Sequence, residues 1–181
     1  MPIRGNPKKL AADPLWEFAL KTLDRRAYAA AELRRKLSLR AETKSDLDQV
    51  MKKLQEYGLL DDARFAESFA SSRLEGQGFG ARRVLRDLRA RSVGTQAAEA
   101  AIQHVYGEVE ETELAGKFLQ RKFRSKNLPD YLKEEKNLAA AYRRLRTAGF
   151  STAASIKVLK QFAQRAEELE SMETDNPEDE R

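Results

Sequence analysis

Three observations predict an all-α protein built as an elongated tandem repeat of three three-helix modules, about nine helices in total. Alanine, leucine, lysine, arginine and glutamate dominate the 181 residues, and these residue types favour helices when summed over whole windows. Apolar residues recur at helical spacing between glycine stops. Apolar positions of one stretch also return 51 residues later. Repeat units bury their cores against neighbours, so the predicted functional surface is extended rather than a pocket.

The first module is predicted over residues 13–58, after an N-terminal arm, 1–12, whose two prolines and one glycine predict disorder. Asp13 is expected to cap the first helix, with Pro14 in its first turn and an apolar face that continues to about residue 26. A second helix is predicted over residues 29–39. A third opens at Ser45 and Asp46 and stops at Gly58.

The second module, residues 59–107, repeats this plan at the 51-residue offset. The matched positions are mainly apolar or aromatic in both copies, as a shared packing scheme requires. The pairs are Phe18 and Phe69, Leu23 and Leu74, Tyr28 and Phe79, Leu33 and Val84, Leu37 and Leu88, Leu47 and Ala98, Met51 and Ile102, and Leu54 and Val105.

The third module, residues 108–166, follows the plan more loosely. Helices are predicted over about 109–123, 133–148 and 151–166, with a loop around Pro129 between the first two. The Gly149-Phe150 pair repeats Gly78-Phe79. The aromatic residue that opens a helix in each module is interpreted as a packing contact, because such rings bury much apolar area.

Charge is distributed unevenly along the chain. Residues 164–181 hold eight carboxylates and two arginines, a net charge of −6. Because the whole chain has a formal net charge of +5, residues 1–163 carry +11. The segment 167–181 is expected to be a disordered acidic tail. A basic body indicates a polyanion or an acidic protein face as partner, and the alternative is a set of solvated helix faces. The tail would then compete for that basic surface.

Two stretches carry a specific resemblance. GLLDDARFAESFASSR with GQGFGARRVLRDLRARSV, residues 58–93, resembles the central module of the RecX family, the bacterial regulators of the RecA recombinase. RRAYAAAELRRKL upstream is similar to that family's first module, and AGKFLQRKF with EEKNLAAAYRRLRTAGFSTAASIKVLK is similar to its third. The resemblance covers about residues 14–163. The acidic tail lies outside it, and Ser92 stands where a glycine commonly precedes the apolar residue.

The resemblance implies a protein of nine helices in three modules. It also implies the activity of the family, which is regulation of RecA. Members bind along the groove of the RecA–single-stranded DNA filament. They typically restrain filament growth, ATP hydrolysis, strand exchange and co-protease action on the SOS repressor, and they take part in recombination and DNA repair.

Basic clusters provide the candidate binding residues. Arg82, Arg86 and Arg89 recur on one predicted helix face opposite Val84 and Leu88, and a row of guanidinium groups suits phosphates or carboxylates. Solvated surface is the alternative for every cluster. The full set of candidates is Arg82, Arg83, Arg86, Arg89, Arg91, Arg25, Arg26, Arg34, Arg35, Lys117, Arg121, Arg124, Arg143 and Arg144.

Catalytic and metal chemistry is not expected. Asp61 is interpreted as a helix cap, and the glycines of residues 76–80 lack the spacing of a nucleotide-binding loop. His104 is the only histidine and the chain has no cysteine, which argues against zinc, a catalytic triad or a disulfide. We expect no cofactor.

Two functions remain open at this level. The first is a non-enzymatic, monomeric regulator of the RecA filament, with possible direct DNA contact. The second is a DNA- or RNA-binding helical protein that acts through its basic faces alone. No apolar run is long enough for a membrane span or a signal peptide, so the cytoplasm is the expected compartment.

Overall fold

The computed structural model describes residues 8–163, and these are all-α, as predicted. They contain ten helices and one isolated backbone bridge between Leu10 and Ala41. The helices are α1 (Ala12–Arg25), α2 (Ala30–Ser38), α3 (Lys44–Glu56), α4 (Asp62–Gln77), α5 (Ala81–Ala90), α6 (Thr95–Tyr106), α7 (Glu111–Lys122), α8 (Leu128–Tyr131), α9 (Glu135–Thr147) and α10 (Thr152–Lys160).

The described chain divides into two compact units. The first contains residues 8–69 and 87–101, and the second contains 70–86 and 102–163. The three-module boundaries at 13–58, 59–107 and 108–166 remain a prediction. The repeat is nevertheless visible in burial. Leu33 and its counterpart Val84 are both buried, and so are Leu37 and Leu88.

The first unit has an apolar core supplied largely by α1, α2 and α3. Helix α1 begins one residue before Asp13, and Ala11 at its cap position makes no side-chain cap bond, so the predicted Asp13 cap is wrong. Asp13 instead lies in the first turn, where its charge suits the helix dipole. The core residues are Leu15, Ala19, Leu33, Leu37, Ala41, Leu47, Val50, Met51 and Leu54.

Two further predictions for this unit need correction. Helix α3 begins at Lys44, because the Thr43 hydroxyl accepts from the Asp46 N–H while the Asp46 carboxylate accepts from the Thr43 N–H. This reciprocal pair is a capping box. Leu10, placed in the disordered arm, donates to the Arg40 carbonyl at 2.7 Å and accepts from Glu42 at 2.9 Å. Residues 1–7 of that arm and the tail 167–181 lie outside the described residues.

Four helix ends of the described chain use the left-handed backbone region. Gly58, Gly78, Ser92 and Gly149 have φ of 64°, 58°, 64° and 94°. At Gly58, Ser92 and Gly149, the left-handed residue donates to the carbonyl three positions earlier, and the next residue donates to the carbonyl five positions earlier, as when Val93 donates to Leu88 at 3.2 Å. This double hydrogen bond satisfies the last carbonyls of the helix. Gly58 therefore ends α3 as predicted, while Ser92 adopts a conformation that favours glycine.

The second unit packs α7, α9 and α10 around Phe150, which is fully buried. The predicted loop around Pro129 contains the short helix α8, which raises the count from nine to ten. Its Leu128 reaches the core, so burial orders this turn. Helix α10 ends at Lys160, earlier than the predicted residue 166.

Candidate functional site

The basic candidates in the first unit are mostly engaged with acidic or polar groups of their own unit. Arg26 and Arg91 lie on either side of Glu32, with nitrogen–oxygen distances of 2.8 and 3.3 Å. Arg26 also lies over the Tyr28 ring, with its guanidinium carbon 3.6 Å from the ring centroid. Because Glu32 joins residues distant in sequence, this cluster has a structural role. A binding role for the two arginines remains a prediction.

The charge state of Glu32 reflects two opposing causes. Burial alone would raise the pKa of this carboxyl, since only 16% of the side chain is exposed. The hydrogen bond and charge of Arg26, together with those of Arg91, outweigh burial, and the pKa of Glu32 is lowered. Glu32 is therefore ionised at neutral pH.

Other candidates pair with acids on exposed surface. Arg89 contacts Glu99 at 3.1 Å, and Lys117 contacts Glu113 at 2.7 Å. Such exposed pairs contribute little to stability and remain available to a charged partner. Arg34 pairs with Asp48, and Arg35 donates to the Ser92 hydroxyl at 3.4 Å. Arg25, Arg82, Arg86 and Arg124 are exposed.

The second unit brings three candidates together at one cleft of about 400 Å³. These are Arg83 from α5 and the adjacent pair Arg143 and Arg144 from α9. We call this feature the basic cleft. Its lining consists of Phe79, Arg83, Phe118, Lys122, Arg143, Arg144, Thr147 and Ala148. The lining holds four cations and no carboxylate, so it favours anions.

Close backbone contacts position the basic cleft. The Gly80 N–H donates to the Ala148 carbonyl at 2.8 Å, which fixes the start of α5 against the end of α9. A Cβ at Gly149 would lie 2.5 Å from the Arg83 Cβ and 2.8 Å from the Gly80 oxygen. Real Cβ atoms essentially never come so close. Glycine at residue 149 is therefore needed both for its positive φ and for this approach.

Aromatic rings at the basic cleft pack against one another. The Phe118 ring lies 6.3 Å from the Phe79 ring and 5.6 Å from the Phe150 ring, centroid to centroid. The Tyr106 hydroxyl donates to the Phe79 carbonyl at 3.0 Å, and burial raises the pKa of Tyr106 to about 12. The predicted packing role of Phe79 and Phe150 agrees with these contacts. Phe79 additionally lines the cleft.

Sequence reasoning missed Lys122 and Thr147 as cleft residues. It selected Lys117, Arg121 and Arg124 from their spacing, whereas only Lys122 of this helix contributes a cation to the lining. Arg121 instead donates to the Gly76 carbonyl at 3.2 Å. The sequence signal for Lys122 was its position four residues after Phe118.

The adjacent acids Asp61 and Asp62 both act as helix caps. Asp61 accepts from the Arg64 N–H at 2.9 Å, which confirms its predicted capping of α4. Asp62 accepts from the Ala30 N–H at 2.7 Å and so caps α2, whose own cap residue has no such bond. His104 is exposed. Within residues 8–163 no three potential metal ligands are grouped, and no helix is long and apolar enough to cross a membrane.

Comparison with known proteins gives consistent matches. A family model described as RecX, second three-helix domain, matches residues 61–102. The regulatory protein RecX of Vibrio vulnificus is 30% identical over 137 residues, covering 75% of this chain and 84% of that protein. The regulatory protein RecX of Chromohalobacter salexigens is 38% identical over 85 residues, covering 47% of this chain and 55% of that protein.

The fold has a solved counterpart as well. The crystal structure of RecX from Lactobacillus salivarius superposes with a TM-score of 0.63 at 16% identity, covering 83% of this chain and 96% of that one. At this identity the likeness shows a shared fold alone. In the sequence comparisons, this chain spans about half the length of the Chromohalobacter protein and most of the length of the Vibrio protein.

Proposed function

The chain belongs to the RecX family of regulatory proteins, and from that premise we propose that it is a non-enzymatic regulator of RecA, mainly an inhibitor. It binds in the groove of the RecA–single-stranded DNA filament. There it modulates ATP hydrolysis, strand exchange and SOS co-protease activity. It works in the cytoplasm as a monomer and requires no cofactor.

The observation that carries this proposal beyond family membership is the basic cleft. Four cations without a lining carboxylate provide a surface for a filament, which offers both DNA phosphates and protein carboxylates. Further exposed cations, Arg82 and Arg86 on α5 and Arg124 after α7, add charge outside the cleft. Several weak contacts on one chain bind a repetitive partner tightly, because each later contact is intramolecular.

Inhibition follows from such bridging. A chain that contacts more than one RecA protomer opposes any rearrangement that changes the spacing between protomers. ATP turnover and strand exchange both need such rearrangement, so both should slow together. The effect should require less than one molecule per RecA, because one bound chain restrains several protomers.

Binding to assembled filaments tests the proposal. Labelled protein should bind far more tightly when RecA, a slowly hydrolysed ATP analogue and single-stranded DNA are all present than when any one is omitted. The Arg143→Glu/Arg144→Glu variant should lose this binding, while the matched control Lys21→Glu/Lys44→Glu, with the same charge change at exposed residues, should keep it. Equal affinity for bare DNA and for filaments would contradict the proposal.

The second candidate function is direct DNA or RNA binding without RecA. The observation that favours it is the combination of cations and aromatic rings in one cleft, which is typical of nucleic-acid surfaces. Affinity would then fall steeply with salt and would not depend on RecA. The binding experiment above distinguishes the two functions, since omission of RecA abolishes tight binding only under the first.

A further inference from the structure

The basic cleft brings cations from three helices and two aromatic rings into one lining. The cations of α9 and α7 that line it, Arg143, Arg144 and Lys122, have no ion pair within residues 8–163. Two candidates outside the cleft, Lys117 and Arg89, have a carboxylate within 4 Å, while Arg82 and Arg86 are exposed on α5. Cations that line one cleft without an ion pair attract an anion.

Arg83 contributes a planar group rather than only a charge. Its guanidinium carbon lies 3.8 Å from the centroid of the Phe79 ring, over the ring face. Its Nη1 donates to the carbonyl of Thr147, the last residue of α9, at 3.4 Å, and this bond restricts the rotation of the guanidinium. A guanidinium held over an aromatic ring presents its other face as a flat surface, and nucleobases stack on such surfaces.

The size of the cleft limits what it can hold. About 400 Å³ accommodates roughly one nucleotide, not the width of a duplex. An acidic peptide would use the cations of the cleft, including Arg83, but its carboxylates do not stack on the face of the guanidinium as a nucleobase does. The combination of a cation cluster and a stacking surface therefore favours single-stranded nucleic acid over a carboxylate-bearing protein face.

We propose that the basic cleft binds one nucleotide unit of single-stranded DNA, with Lys122, Arg143 and Arg144 on the backbone phosphates and Arg83 stacked on a base. The inference rests on the proposed function in that the strand is the one held by the RecA filament. It specifies that this face contacts the DNA and not RecA carboxylates. The tight Gly80–Gly149 approach holds Arg83 in place before the strand arrives.

The first test measures binding of the full chain to a fluorescent oligodeoxynucleotide without RecA. Removing two phosphate contacts by Arg143→Ala/Arg144→Ala should lower the dependence of log affinity on log salt by about 1.4, at about 0.7 per contact. The ratio of parent to variant affinity should then shrink about sevenfold between 50 and 200 mM salt. Lys21→Ala/Lys44→Ala, which alters exposed lysines outside the cleft and outside the candidate binding residues, serves as the matched control.

The second test isolates the stacking role. Arg83→Lys keeps the charge and removes the plane. It should weaken binding to the oligonucleotide by about tenfold, the scale of one stacked base. Binding to an abasic strand of equal length should change much less. Equal loss on both strands, or unchanged salt dependence in the Arg143→Ala/Arg144→Ala variant, overturns the inference. Circular dichroism verifies that each variant is folded.

Parallel assays separate this inference from the proposed function. If the parent chain inhibits RecA while the cleft variants bind the oligonucleotide as the parent does, the cleft assignment fails and the regulatory function stands. If those variants bind the oligonucleotide as the parent does but no longer inhibit RecA, the cleft contacts an acidic face of RecA instead of DNA. If the cleft variants lose oligonucleotide binding and the parent leaves RecA unaffected, the inference stands and the regulatory function fails.

Discussion

Replacing Gly149 by alanine should destabilise the protein far more than the same change at Gly58. Both glycines end a helix with the same double hydrogen bond, and both have positive φ. Gly58 has open space where a Cβ would stand, because no other atom comes within 4 Å. Gly149 has Arg83 Cβ at 2.5 Å and the Gly80 oxygen at 2.8 Å from that position. Comparing the two substitutions therefore separates the energetic cost of backbone strain from that of steric overlap.

The magnitudes follow from these two contributions. A Cβ in the left-handed region costs about 1–2 kcal/mol, and this is the whole expected cost at Gly58. At Gly149 the overlap adds about 1–3 kcal/mol, because α5 or the start of α10 must move to admit the methyl group. We expect a free energy of unfolding lower by about 2–5 kcal/mol for Gly149→Ala, against about 1–2 for Gly58→Ala.

Urea unfolding followed by circular dichroism at 222 nm measures both values. Gly149→Ala should also weaken oligonucleotide or filament binding under conditions where it remains folded, because the displaced backbone belongs to Arg83. Gly58→Ala should leave binding unchanged. Equal destabilisation by the two substitutions would refute the steric argument and, with it, the rigid placement of the basic cleft.

Three further predictions concern other features. Ser92→Gly should raise the free energy of unfolding by about 1 kcal/mol, because it relieves left-handed strain and loses only the long Arg35 contact; unchanged stability in urea would contradict this. Glu32→Gln should lower the free energy of unfolding at neutral pH and make it depend less on pH in the acid range. In the parent, the lowered pKa of Glu32 contributes stability that is lost as the pH falls through that pKa. Removing residues 167–181 should strengthen binding at low salt, and unchanged affinity would exclude competition by this acidic segment.

Local sequence signals were sufficient for most of the helices. Helical periodicity and the stop at Gly58 predicted elements of the right type, and Asp61 was recognised as a cap. The start of α3 was misplaced because Thr43 and Ser45 are both acceptable caps, and only the reciprocal bond with Asp46 decides between them. Proline in the predicted loop concealed α8, whose formation depends on burial of Leu128.

The candidate site could be predicted only in part. Arginine-rich spacing identified Arg83, Arg143 and Arg144, since a cation cluster is visible in the sequence. Spacing on one helix cannot show which clusters meet, because that depends on how α5, α7 and α9 pack. Glu32 illustrates the same limit: its pairing with Arg91, 59 residues away, turns a candidate binding residue into part of a structural cluster.

ATP hydrolysis by RecA on single-stranded DNA, titrated with this chain, tests the regulatory function most directly. Hydrolysis is expected to fall when the chain is present at well below one molecule per RecA. The Arg143→Glu/Arg144→Glu variant should need far more protein for the same effect, while Lys21→Glu/Lys44→Glu should match the parent. Unchanged hydrolysis at every ratio, together with tight and salt-sensitive binding to bare DNA, would contradict the account and leave direct nucleic-acid binding as the function.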